Sequence, residues 1–240
     1  MATTGYEPED FLKEHIPYRL ELLDTYCTAI LLGIYSGQSS SRIASEFILP
    51  TEYGFKLTPT TQIFNIALET GLITFRLLME FLGLTVDDSG EIKAIEAKRG
   101  KRRKDDFPIS KIQDVNGESL AAVNPDTIAD LKVFEGTFLG SGVTVDVKSK
   151  FAEMYIQANK AAAHLVQNGR PYHRLDNYLA CLVLRSLVEV VVYDRLNERK
   201  LLKNLGVWSN TLLHPSVLVE HERAVSEVYK FVQRKIATQH

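Results

Sequence analysis

Apolar residues that recur every three or four positions constrain this chain more than any other feature of its sequence. Between Pro8 and about Ser36 the recurring residues are Phe11, Ile16, Leu20, Leu23, Tyr26, Ile30 and Ile34. That interval is the period of an α-helix with one buried stripe. We therefore predict one long helix here, with a kink at Pro17, whose nitrogen carries no hydrogen.

The same period returns in four later segments. One begins at Thr58-Pro59, where threonine suits the helix cap and proline the first turn, and it ends near Gly83. The others are predicted at about residues 148–167, 172–205 and 216–237. Within the third segment, residues 188–193 are rich in β-branched side chains, which favour a strand. Good helix formers on both sides, with neither Gly nor Pro among them, favour a helix instead.

Between Thr85 and Ser149 the periodicity fades, and Gly, Asp, Ser and charged residues dominate. A short helix is a candidate at Pro125–Phe134 and a strand at Val143–Val147. We therefore predict an all-α helical bundle of four to five long helices. It forms one domain over residues 1–240, with an irregular insertion at about 85–149 that has room for a short β-hairpin.

The charge balance excludes a protein that is cationic as a whole. The formal net charge is -2 and the pI is about 6.3, so any attraction to nucleic acid or anionic lipid must be local. The N-terminus is polar and acidic, unlike a signal peptide. The richest apolar run, residues 179–193, contains Arg185 and Glu189 and is too short to cross a bilayer. We expect a cytoplasmic protein with no membrane contact.

The cysteines and histidines predict neither a metal site nor a cofactor. Cys27 and Cys181 stand in apolar runs 154 positions apart, which favours reduced buried thiols over a disulfide framework. Neither has a second cysteine two to four positions away. Metal-ligand spacing is likewise absent from His15, His173, His214 and His221.

Charged residues interrupt two of the apolar helices at the same interval. Glu69, Arg76 and Glu80 fall on one stripe of the second helix, within about 60° of one another. Arg185 and Glu189 repeat the Arg-x-x-x-Glu pattern later in the chain. An Arg and a Glu among apolar residues are costly to bury unless they are paired. Each pair therefore either fixes helix packing or supports a binding site.

The segment from Lys148 to Gly169 carries polar residues among alanines. Gln157 and His164 are seven positions apart and share a helix face, whereas Asn159 and His164 differ by about 140°. Asn159 and His164 can therefore reach one site only at a helix end, at a distortion or across a dimer axis. Packing is the alternative role for His164.

The string from Asn159 to Leu165, which follows a helix bearing Arg76 and Glu80, resembles the HEPN superfamily (higher eukaryotes and prokaryotes nucleotide-binding). The resemblance implies a small helical bundle that is usually dimeric. Many members are metal-independent ribonucleases of toxin-antitoxin and phage-defence systems. Their signature is an Arg, four to six residues and a His, commonly with a polar residue right after the Arg, and Asn159 and His164 match the later part.

Ala158 stands where the family has its arginine. In the family chemistry that arginine stabilises the anionic phosphorane, while the histidine assists proton transfer from the 2′-hydroxyl. An alanine cannot supply the charge, so Arg76 or Arg185 would have to do so from a neighbouring helix.

The most strongly biased stretch of the sequence is basic. Six of its seven residues carry a positive charge: Lys98, Arg99, Lys101, Arg102, Arg103 and Lys104. Such a run can contact RNA phosphates in a salt-sensitive, sequence-independent manner. No aromatic residue interrupts it to stack on bases, and Asp105-Asp106 follows at once. A solvated loop is the alternative.

Two functional hypotheses follow. The first is a HEPN-like protein, a weak or inactive RNase-type module of a defence or toxin-antitoxin system that binds RNA or a nucleotide. Its candidate site consists of His164 and Asn159, supported by Arg76 and Glu80. The second is a non-catalytic helical interaction module that acts as a homodimer.

Overall fold

The computed structural model describes residues 8–36, 60–95, 107–131, 133–138, 141–163, 175–202 and 205–238. These residues form mainly helices, which confirms the predicted all-α fold. Among the helices of these ranges, none combines the length and the apolar composition needed to cross a membrane.

The first long helix is built from three consecutive segments: α1 (Pro8–Asp10), a π-helical segment (Phe11–His15) and α2 (Ile16–Ser36). The Ile16 N–H donates to the carbonyl of Phe11, five residues earlier. The wider π turn lies just before Pro17, which has no N–H to donate into a regular ladder. The disturbance predicted at this proline is therefore a π turn.

Three further long helices match the predicted segments: α3 (Thr60–Phe81), α5 (Val147–Ala163) and α8 (Pro215–Ala237). α3 is followed by Gly83, whose φ of +87° closes the helix end in a conformation that glycine adopts without strain. α8 begins with His214 as its cap, since the His214 side chain accepts the Ser216 N–H.

The helix predicted to run on to about Leu205 is shorter than expected. α6 (Leu175–Val188) continues as a π-helical segment (Glu189–Asp194), so the β-branched stretch is helical, as its flanks predicted. Asn197, at a φ of +56°, then turns the chain into a 3₁₀ turn (Arg199–Leu202). Asparagine tolerates this conformation, and a break at one asparagine leaves no trace in the hydrophobic period.

The segment between α3 and α5 contains two antiparallel hairpins, β1 (Leu84–Val86) with β2 (Ile92–Ala94) and β3 (Val133–Phe138) with β4 (Ser141–Asp146). The strand predicted at residues 143–147 corresponds to β4, except that Val147 is the first residue of α5. The helix predicted at residues 125–134 is confined to α4 (Pro125–Asp130), because Phe134 belongs to β3. A further short helix, α7 (Val207–Leu212), precedes α8.

Two turns in this segment share one construction. Asp87 accepts the backbone N–H groups of Ser89 and Glu91, and Asp114 accepts those of Asn116 and Glu118. In each turn a glycine, Gly90 or Gly117, has a φ above +80°. The carboxylate thus replaces backbone partners that a tight turn cannot supply.

The long helices pack around one apolar core. α2 packs against both α3 and α6, α3 packs against α5, and α6 packs against α8. The largest fully buried side chains include Tyr26, Phe75, Phe151, Tyr178 and Tyr193. The strand segment is tied to the end of α3, because the Ile95 N–H donates to Gly83 O and the Val123 N–H donates to Leu82 O, at 2.7 and 2.9 Å.

Candidate functional site

The best candidate site is a row of polar side chains between α3 and α5. Arg76 and Glu80 are one turn apart on α3, and Asn159 and Tyr155 are one turn apart on α5. Glu80 meets Tyr155, and Arg76 meets Asn159, so the two helices run in opposite directions here. Sequence-predicted site residues from two distant parts of the chain therefore lie together.

Arg76 connects the two helices directly. Its Nη1 donates to Asn159 Oδ1 over 2.9 Å. Since a guanidinium has only donors, the amide oxygen of Asn159 must face it, and the amide nitrogen of Asn159 points away. Asn159 is exposed, so this nitrogen offers its two N–H groups to solvent beside the arginine. Both residues thus present donors suited to an anion.

Glu80 forms an ion pair with Arg76 that is incomplete as a hydrogen bond. Glu80 Oε1 lies 3.1 Å from Arg76 Nε. The Nε–H is shielded from solvent, and no acceptor within the described chain is aligned with it. The side chains of Arg76 and Glu80 are 27% and 34% exposed, so solvent reaches the pair.

Tyr155 holds Glu80 from the other helix. Its hydroxyl donates to Glu80 Oε1 over 2.8 Å and lies 3.1 Å from the hydroxyl of Thr85 on β1. Burial raises the pKa of the Tyr155 hydroxyl, and the hydrogen bond to Glu80 raises it further. Tyr155 therefore remains a protonated donor at neutral pH.

The motif position that lacks its arginine faces the core. Ala158 has no solvent exposure, whereas the next residue, Asn159, is exposed. An arginine at position 158 would bring a long charged side chain into the packed interior of the bundle. An arginine that serves the site next to Asn159 therefore has to come from another helix. Arg76 of α3 does so, because it contacts Asn159.

The structure leaves two predicted parts of the site undescribed. His164 comes one residue after the end of α5 and lies outside the described residues, as does the basic run Lys98, Arg99, Lys101, Arg102, Arg103 and Lys104. The residues that flank the basic run are described. Ile95 is bonded to Gly83, and Phe107 stacks on Phe11, which in turn lies 6.0 Å from Phe81 between ring centroids. Both flanks therefore lie at the end of α3 that carries Glu80.

Arg185, the other arginine considered for the site, is committed to the core. Its Nη1 donates to Asp24 over 2.7 Å and its Nε to Glu189 over 2.9 Å, and its side chain is only 12% exposed. Asp24 also accepts the hydroxyl of Ser209, and Glu189 accepts Arg199. Arg185 thus fixes α6 against α2, and its Nε and Nη1 are both engaged by buried carboxylates.

Two other features bear on chemistry. The described cysteines, Cys27 and Cys181, are free, and both are buried, as the apolar runs around them predicted. Burial raises the pKa of Cys181, and its neighbour Cys27 adds to the rise, so the Cys181 thiol is not poised as a nucleophile. Among the described residues, no three His, Cys, Asp or Glu side chains converge as a metal site would require.

Sequence reasoning missed Tyr155 and Thr85. A signal for Tyr155 was present, because it stands four residues before Asn159 and so shares its helix face. Thr85 had no such signal, because its contact depends on where β1 begins.

Comparison of the chain with family models, with curated proteins and with solved structures found no match. The resemblance to HEPN proteins therefore remains a prediction from the residues.

Proposed function

We propose that this chain is a HEPN-like RNA-associated protein whose site combines Arg76, Asn159 and His164. The observation that carries the proposal is the hydrogen bond of 2.9 Å between Arg76 and Asn159. It brings an arginine from α3 to the asparagine of the α5 motif, where the motif itself has Ala158. The positive charge that the family chemistry requires is thereby supplied from a second helix.

The proposed chemistry assigns one task to each residue. The guanidinium of Arg76 stabilises the charge of the phosphorane, and His164 assists proton transfer from the 2′-hydroxyl of RNA. Asn159 orients Arg76 and offers its amide N–H groups to the same phosphate. Because Glu80 offsets part of the charge of Arg76, we expect a weak RNase-type module rather than a fast enzyme.

The test is incubation of the purified protein with mixed RNA at several salt concentrations, alongside His164→Ala. Lys160→Ala is the matched control, because Lys160 is an exposed α5 residue next to Asn159. We expect cleavage by the wild type and the control, and none by His164→Ala. Equal cleavage by all three proteins would overturn the catalytic assignment.

The basic run is tested separately through binding. RNA binding that weakens with salt and is lost in Arg102→Ala/Arg103→Ala would retain an RNA role even without cleavage. Circular dichroism of each variant shows whether it is folded.

The alternative, a homodimeric interaction module, has less support. In the described residues Arg76 pairs with Glu80 and Arg185 with Glu189, so both charged pairs are formed within one chain and do not require a partner. Sedimentation velocity distinguishes the two: a stable dimer that neither binds nor cleaves RNA would favour the interaction module.

A further inference from the structure

We propose that Glu80 is a built-in competitor for the phosphate group, holding the guanidinium of Arg76 until a phosphate of RNA replaces it. This inference rests on the proposed function, because it takes the phosphodiester of RNA as the incoming anion. It adds a regulatory residue to the site, one that sets how readily the site is occupied.

The first support is the geometry of the pair itself. Arg76 uses Nη1 for Asn159, while its Nε lies near Glu80 without an aligned hydrogen bond. A carboxylate that satisfied the arginine fully would make two parallel hydrogen bonds to it. Glu80 is therefore a loose partner, and an anion that forms aligned bonds to Arg76 would replace it at low cost.

The second support is that Glu80 keeps a partner after it leaves Arg76. Tyr155 donates to the same carboxylate from α5, and Thr85 contacts the Tyr155 hydroxyl on its other side. A carboxylate left without any partner in a half-buried site would oppose the exchange. The bond from Tyr155 removes that penalty, because Glu80 can remain hydrogen-bonded while the guanidinium turns to a phosphate.

The third support is access. The Arg76 and Glu80 side chains are partly exposed, and Asn159 presents its amide N–H groups beside them. An incoming phosphate can therefore meet the free edge of the guanidinium and the amide together, without an opening of the core. The exchange involves only ionic contacts and hydrogen bonds, so no covalent bond is made or broken and no co-reactant is required.

The test compares Glu80→Gln with Glu69→Gln. Glutamine keeps the shape of Glu80 and its bond from Tyr155 but removes the charge that holds Arg76. Glu69→Gln removes the same charge from the same helix, eleven residues earlier, and so controls for the general loss of negative charge. The double variant Arg76→Gln/Glu80→Gln tests whether Arg76 is the cation through which the loss of the Glu80 charge acts.

The probe is a short fluorescent 2′-O-methyl RNA, which binds through its phosphates but has no 2′-hydroxyl for cleavage. We expect Glu80→Gln to bind it roughly three- to tenfold more tightly than the wild type. Glu69→Gln and the double variant should show no gain. Competition with a nucleoside 5′-monophosphate then shows whether a free nucleotide phosphate also occupies the site.

Two results would overturn the inference: Glu80→Gln binding no more tightly than Glu69→Gln, or a gain that persists in the double variant. Failure of the proposed catalysis can be told apart from failure of this inference. Catalysis is measured as cleavage of RNA with free 2′-hydroxyls, and its absence would leave the comparison of binding affinities unchanged. Thermal melts of the three variants show whether a change in affinity reflects a change in folding.

Discussion

Arg185 and Asp24 form a buried ion pair, with 2.7 Å between Arg185 Nη1 and Asp24 Oδ1, and the Asp24 side chain has no solvent exposure. The pair joins α6 to α2 across 161 positions of sequence. Asp24 also accepts the Ser209 hydroxyl over 2.7 Å, and a ring nitrogen of His221 lies 3.6 Å from it. One carboxylate thereby connects several elements at the centre of the bundle.

Replacement of Asp24 by Asn should be among the most destabilising polar substitutions in the described chain. It leaves Arg185 buried with one carboxylate partner fewer, and breaking a buried pair costs about 3 kcal/mol or more. We expect the free energy of unfolding in urea at neutral pH to fall by about that amount. Glu227→Gln is the control, because Glu227 is 47% exposed and its loss should change stability by less than about 0.5 kcal/mol. Equal stability of the two variants would contradict the account.

Stability should also depend on pH through Asp24. Burial opposes ionisation of Asp24, but the nearby ring nitrogen of His221, the charge of Arg185 and the hydroxyl of Ser209 outweigh it and hold the pKa below the ordinary 3.8. A carboxyl with a depressed pKa stabilises the fold above its unfolded pKa and loses that contribution as the pH falls through its folded pKa. Urea unfolding from pH 7 downwards should therefore show a loss that begins near the unfolded pKa. Asp24→Asn should show less of this dependence, and parallel pH curves would contradict the assignment.

Gly71 should resist substitution because of the close approach of α2 and α3. A Cβ at this position would lie 2.3 Å from both Cβ and Cγ of Tyr26, which is fully buried and cannot move aside. Overpacking of a core costs about 1–3 kcal/mol, whereas alanine gains about 1 kcal/mol over glycine in a helix. Gly71→Ala should therefore lower the melting temperature despite its better helix propensity. The exposed Lys160→Ala should leave it unchanged; a melting temperature at or above the wild type for Gly71→Ala would contradict the close approach.

The helices could be predicted from sequence where burial is one-sided and the ends carry standard caps. α8 begins at a proline after its cap, and α3 ends before a glycine. Both boundaries could therefore be predicted to within two residues. The break after Asp194 was not readable, because it depends on Asn197 adopting a positive φ. The full extent of the β3–β4 hairpin was missed, because pairing is a contact between segments that local composition does not reveal.

The candidate site was predictable only within each helix. The pairing of Arg76 with Glu80 follows from their spacing of four, and the Arg185–Glu189 pair follows in the same way. The contact between Arg76 and Asn159 spans 83 positions and depends on the relative depth at which α3 and α5 pack. No local sequence pattern indicates how two helices are shifted along each other. The choice between Arg76 and Arg185 as the arginine of the site therefore required the structure.

The most direct test of the central claim is a double-mutant cycle on RNA cleavage with Arg76→Ala and His164→Ala. Residues that serve one reaction act as a unit, so each single variant should lose about a hundredfold or more of the cleavage rate. The double variant should then be no slower than the slower single variant. Wild-type cleavage by Arg76→Ala would contradict the claim that this arginine supplies the charge that the motif lacks.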